Sequence, residues 1–118
     1  MSKLCYLICP VTGHSKSETE LIVQALEGDG WMVHWPPRDV DQNDNETGGF
    51  RICAEHRLAM EKCDKVFIIW DGESKGCLFD AGMAWALYKP LSIIHIPNKT
   101  IGKSFQNVMY RWEEKGAK

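Results

Sequence analysis

The chain has 118 residues, of which 44% are hydrophobic and 25% charged, with a formal net charge of −2. This is an ordinary composition for a globular protein, and the length predicts one domain, 1–118, burying roughly two-thirds of its unfolded surface. There is no basic excess to attract duplex nucleic acid. No stretch approaches the ~20 apolar residues of a membrane span, and the run after Lys3 is too short for a secretory leader, so a cytoplasmic location without membrane contact is expected.

In chain order, Leu4–Cys9 is a short apolar run stopped by Pro10 and Gly13, which predicts a buried strand. Ser15 or Ser17 can cap the next segment, with Glu18 or Glu20 three residues on. Leu21, Ile22, Ala25 and Leu26 then recur at helical spacing until Gly28 and Gly30. Trp31–Trp35 reads as a second strand, halted by Pro36 and Pro37. Asp39–Gly49 holds almost nothing apolar and reads as a solvated loop or lid.

A helix is predicted from about Phe50 to Lys62, then a strand over Val66–Trp70. Phe79, Gly82, Met83, Ala86 and Leu87 mark the inner face of a third helix, which Pro90 ends. Leu91–Ile96 predicts a fourth strand, and Phe105, Val108, Met109 and Trp112 a final amphipathic helix. Alternating strands and helices, with strands apolar throughout, imply a parallel sheet covered on both faces. The expected fold is an α/β flavodoxin-like or Rossmann-like three-layer sandwich with strand order 2-1-3-4.

The five cysteines, Cys5, Cys9, Cys53, Cys63 and Cys77, are odd in number and include no C-x-x-C pair. They read as reduced thiols acting as small hydrophobes, and no metal site can be assembled from the cysteines and scattered histidines. Cys77, at a helix start, is a candidate reactive thiol. Trp35 and Trp70, at strand ends, read as core.

Chemistry concentrates where strands run into helices. After Val66–Trp70 come Asp71, a short turn with Ser74 and Gly76, and then Asp80, expected in the first turn of the third helix. There the helix dipole favours a carboxylate, either as nucleophile or electrostatic stabiliser, or simply as a helix-end acid. His56 shares a helical face with Ile52, Ala59, Met60 and Cys63. It therefore faces the sheet, as a hydroxyl-binding or proton-transferring group or as a core histidine. The first turn, with Pro10, Thr12, Gly13 and Ser15, offers hydroxyls and backbone N–H groups that suit an oxyanion or phosphate. It is neither G-x-G-x-x-G nor a Walker loop, which excludes dinucleotide and P-loop sites.

Three groups of residues together resemble the nucleoside 2-deoxyribosyltransferase-like superfamily, which includes the 2′-deoxynucleoside 5′-phosphate N-hydrolases. These are Leu4-Cys-Tyr6-Leu-Ile-Cys-Pro10, Ala59–Asp64 with Val66–Asp71, and Ser74-x-Gly76-x-x-Phe79-Asp80-x-Gly82-Met-Ala84 with Lys89-Pro90. The resemblance runs from Leu4 to about Ile96. It implies cleavage or transfer at an N-glycosidic bond of a nucleoside or nucleoside 5′-monophosphate, no cofactor, and a homodimer or larger homo-oligomer. It gives Tyr6 a place in the site, Asp80 the nucleophile's position, and Ser74 a phosphate contact. Asp71 would hold the turn or a ribose hydroxyl. Two departures stand out: Asp80 replaces the family's Glu, and His56 replaces an Asp that contacts sugar and base. A non-catalytic nucleotide-binding module of the same fold is the alternative. An FMN-binding flavodoxin fits less well, because the first turn lacks a hydroxyl-dense phosphate loop.

Overall fold

The computed structural model describes residues 3–10, 16–44, 46–70 and 74–95. The helix expected around Phe105–Trp112, together with Ile96, lies outside the described residues. The elements are β1 (Lys3–Ile8), α1 (Lys16–Gly28), β2 (Trp31–His34), α2 (Pro36–Asp39), α3 (Phe50–Lys62), β3 (Lys65–Ile69), α4 (Lys75–Ala86) and β4 (Leu91–His95).

The sheet is parallel throughout, in the expected order β2-β1-β3-β4. Tyr6 at its centre is level with His34 of β2 and Val66 of β3. Side-chain alternation along β1 divides the core. Tyr6 and Ile8 join Val66, Ile68, Met60, Cys77, Ala81 and Ala84 beneath α3 and α4. Cys5 and Leu7 join Val23, Val33, Trp35 and Ile69 beneath α1. Each fully buried Ile or Leu contributes about 1.5–3 kcal/mol, so a central strand apolar on both faces is what this layering requires. The Asp64 carboxylate accepts the Leu4 N–H at 2.9 Å, and the Asp64 N–H donates to the Leu4 carbonyl at 2.7 Å. This pair ties the entry of β3 to β1.

Four local expectations are corrected. Leu21 is 65% exposed, and the inward stripe of α1 is Thr19, Ile22, Val23 and Leu26. Ser17 lies inside α1 and so does not cap it, while Ser15 is outside the described residues. Phe79 is 59% exposed, and the inner face of α4 is Cys77, Ala81 and Ala84. Residue identity misleads at both helices, because a large apolar side chain need not face inward; at α4 the inward positions are held by small residues that let the helix sit close to the sheet.

The fourth correction is α2. Pro36 and Pro37 begin a short helix, because proline costs nothing in a first turn where its N–H would be unbonded. The Asp39 carboxylate closes that turn by accepting the Trp35 N–H at 2.8 Å. The segment after it is organised rather than merely solvated. Asp44 accepts from the Thr47 and Gly49 N–H groups at 2.9 and 3.1 Å. Arg51 donates to the Asp41 and Asn43 carbonyls at 2.7 and 2.9 Å.

Candidate functional site

Ligand crevices in open α/β sheets form at the carboxyl ends of strands, where successive connections leave in opposite directions. Here that point lies between the neighbouring strands β1 and β3, whose outgoing connections lead to β2 and β4 on opposite sides of the sheet. A cavity of about 180 Å³ occupies it, lined by Leu7 and Cys9, by Pro36, Pro37 and Gln42, by Cys53 and His56, and by Gly76, Phe79 and Asp80.

Asp80 reaches this cavity from the second turn of α4, not the first. Ser74 caps the helix, its Oγ accepting the Cys77 N–H at 3.3 Å, so the helix starts at Lys75 and its first turn holds no acid. The dipole's influence fades within one turn. The surroundings of Asp80 are therefore set by side chains, first of all His56, whose Nδ1 lies 3.6 Å from Asp80 Oδ1. Both side chains are mostly buried, at 14% and 16% exposure.

Tyr6 lies beneath them. Its ring meets His56 edge-on at 6.0 Å between centroids and stacks on His34 at 5.3 Å. Burial, and secondarily the charge of Asp80, push the Tyr6 phenol far above its ordinary range, so it stays protonated and available as a donor. Burial likewise raises the Cys9 thiol and lowers His34, where the nearby His56 and Arg38 add to the effect against Asp39 and Glu55. Among the described residues, Tyr6 Oη and both His56 ring nitrogens are buried without a hydrogen-bond partner. Buried polar atoms are almost always paired, and leaving one unpaired costs about 1–3 kcal/mol. Three such atoms beside one carboxylate are suited to a polar ligand.

The structure thus brings Tyr6, His56, Gly76 and Asp80 together. Ser74 stands at the head of α4 as its cap, and Pro10 is buried without lining the cavity. Thr12, Gly13, Ser15 and Asp71 lie outside the described residues. Cys77 is 1% exposed and packs in the core, which removes it as a reactive thiol. Trp35 and Trp70 are core residues, at 4% and 1% exposure. Among the described residues no cluster of potential ligands could hold a metal, and no helix is long and apolar enough to cross a membrane.

Sequence reasoning missed Pro36, Pro37 and Gln42 as cavity walls. Their position just after the carboxyl end of a strand that flanks β1 was the available signal.

No family model matches the sequence, and a comparison with curated proteins finds no match. Among solved structures, the fold is similar to that of the Clostridium botulinum CMP N-glycosidase BcmB. The two are 20% identical with a TM-score of 0.60, over 90% of this chain and 98% of that one. The chain therefore has an α/β architecture of the kind on which that N-glycosidase is built.

Proposed function

We propose that this protein cleaves the N-glycosidic bond of a nucleoside or nucleoside 5′-monophosphate. The observation that carries the reading is the group of buried atoms without a hydrogen-bond partner on Tyr6 and His56 near Asp80, with His56 and Asp80 lining a cavity at the sheet's switch point. The fold shared with a CMP N-glycosidase supports the same class of bond.

In this chemistry the bond from the anomeric carbon to the base nitrogen breaks, and its electron pair leaves with the base. Positive charge grows on the sugar, and a carboxylate on the opposite face stabilises or captures it. Asp80 takes that part. Tyr6, held neutral, donates a hydrogen bond to Asp80 or to the sugar. His56 contacts the sugar or delivers the proton that the departing base requires. Water, or a second base, then takes the anomeric carbon. Ser74 and Gly76 at the head of α4, with Pro10, Thr12, Gly13 and Ser15, form the proposed phosphate end, and Asp71 a ribose contact.

Nucleotide binding without turnover is the second reading, favoured by the second-turn position of Asp80 and its short side chain. Incubation with a panel of ribo- and deoxyribonucleosides and their 5′-monophosphates distinguishes the two. Free base detected by chromatography supports cleavage. Measurable affinity with no base released from any member supports binding alone.

A further inference from the structure

The cavity wall after β2 carries one polar side chain, Gln42. Its Nε2 donates to the Pro36 and Val40 carbonyls, each at 3.1 Å. A carboxamide nitrogen has two hydrogens, and carbonyl oxygens accept but never donate. These two bonds therefore use both hydrogens, and they fix which end of the amide is oxygen and which is nitrogen. The remaining polar atom is Oε1, an acceptor to which no donor bonds among the described residues.

The rest of that wall is Pro36 and Pro37, and the lining also includes Leu7, Cys9 and Phe79. These are apolar surfaces suited to the faces of a flat ring. At about 180 Å³ the cavity is below the roughly 300–1,000 Å³ of a drug-sized ligand site. It holds one ring rather than a whole nucleotide. Asp80 of α4 and His56 of α3 also line it, and the sugar must lie beside Asp80 if the carboxylate is to reach the anomeric carbon.

We propose that Gln42 reads the base: its anchored Oε1 accepts a hydrogen bond from an amino or imino N–H on the edge of the ring remote from the sugar. The inference rests on the nucleotide reading above and adds a requirement to it. The ligand's base must carry a donor on that edge, because an acceptor there would face the Gln42 oxygen, whose amide cannot rotate without breaking two bonds.

The test uses matched 5′-monophosphates that differ in that donor, with affinities measured by calorimetry. The pairs are cytosine against pyrimidin-2-one, adenine against unsubstituted purine, and uracil against N3-methyluracil. The donor-bearing member of the best-bound pair should bind about 10- to 100-fold tighter, since a site built around a hydrogen bond rejects the analogue lacking it. Gln42→Met, similar in length without the amide, should reduce that preference to less than about twofold. Equal binding within every pair, or a preference that survives Gln42→Met, overturns the role of Gln42 while leaving the nucleotide reading intact. If no nucleotide binds, both fall. Should the variant fail to fold, the wild-type protein decides. The Gln42 side-chain carbonyl carbon resonance must shift with the donor-bearing nucleotide and not with its analogue, and equal shifts overturn the proposal.

Discussion

Asp80 carries the proposed chemistry through one charge at one distance. Asp80→Asn keeps size and most hydrogen bonding but removes the charge that stabilises a cationic sugar. Base release should fall by at least about 100-fold while nucleotide affinity changes little, as expected for a contact realised mainly in the transition state. Tyr6→Phe tests the neighbouring hydroxyl differently. Because Tyr6 Oη is buried without a partner, its loss should leave thermal stability unchanged or raise it, by up to about 1 kcal/mol. Base release should drop about tenfold or more in the same variant. A clear fall in melting temperature would mean that the hydroxyl serves the fold instead of the ligand.

At the scale of elements, the cap at the start of α4 decides where Asp80 stands. Ser74→Ala removes the acceptor for the Cys77 N–H and should cost about 1 kcal/mol, read from the denaturant midpoint. A larger loss of activity than of stability would arise if fraying displaces the head of the helix. This helix also shows how much the sequence reveals. The strands and their order are legible, because a buried parallel strand is apolar on both faces and Leu4–Cys9 and Val66–Trp70 say so directly. The meeting of His56 with Asp80 comes from that order. The turn of α4 that holds Asp80 is not legible, because a serine in that position suits a phosphate contact as well as a cap. Phe79 and Leu21 mislead because bulk is not burial. Gln42 is hidden because its meaning lies in two backbone carbonyls folded back beside it, which no spacing reveals.

Over the whole molecule, stability should depend on pH through His34. Burial, with help from His56 and Arg38, holds its folded value below the ordinary one, so the folded protein prefers the neutral ring. Unfolding therefore takes up a proton once the pH drops below the unfolded value of about 6.5. Stability should be at its plateau above that pH and decline as the pH falls through the folded value. Asp39 adds a later loss. Burial raises its carboxyl, but the Arg38 and Trp35 hydrogen bonds outweigh this and hold it below 3.8, so its contribution disappears in stronger acid. Urea midpoints between pH 7 and 5 should show the first decline, and His34→Phe, which keeps a ring against Tyr6, should flatten it. An unchanged slope in that variant would assign the dependence elsewhere.

Ala81 and Ala84, both fully buried, are the seat on which α4 rests against the sheet. Small side chains at a seat let a helix backbone come close, and every atom the helix carries comes with it. The bulk of the seat and the length of the acid are then a single adjustable quantity: reach lost by a shorter carboxylate is regained by a closer helix. Asp80→Glu alone should overshoot and lower base release. Combined with a bulkier seat, such as Ala84→Val, it should recover more activity than the two separate losses add up to, and strictly additive losses would show that the two positions are set independently.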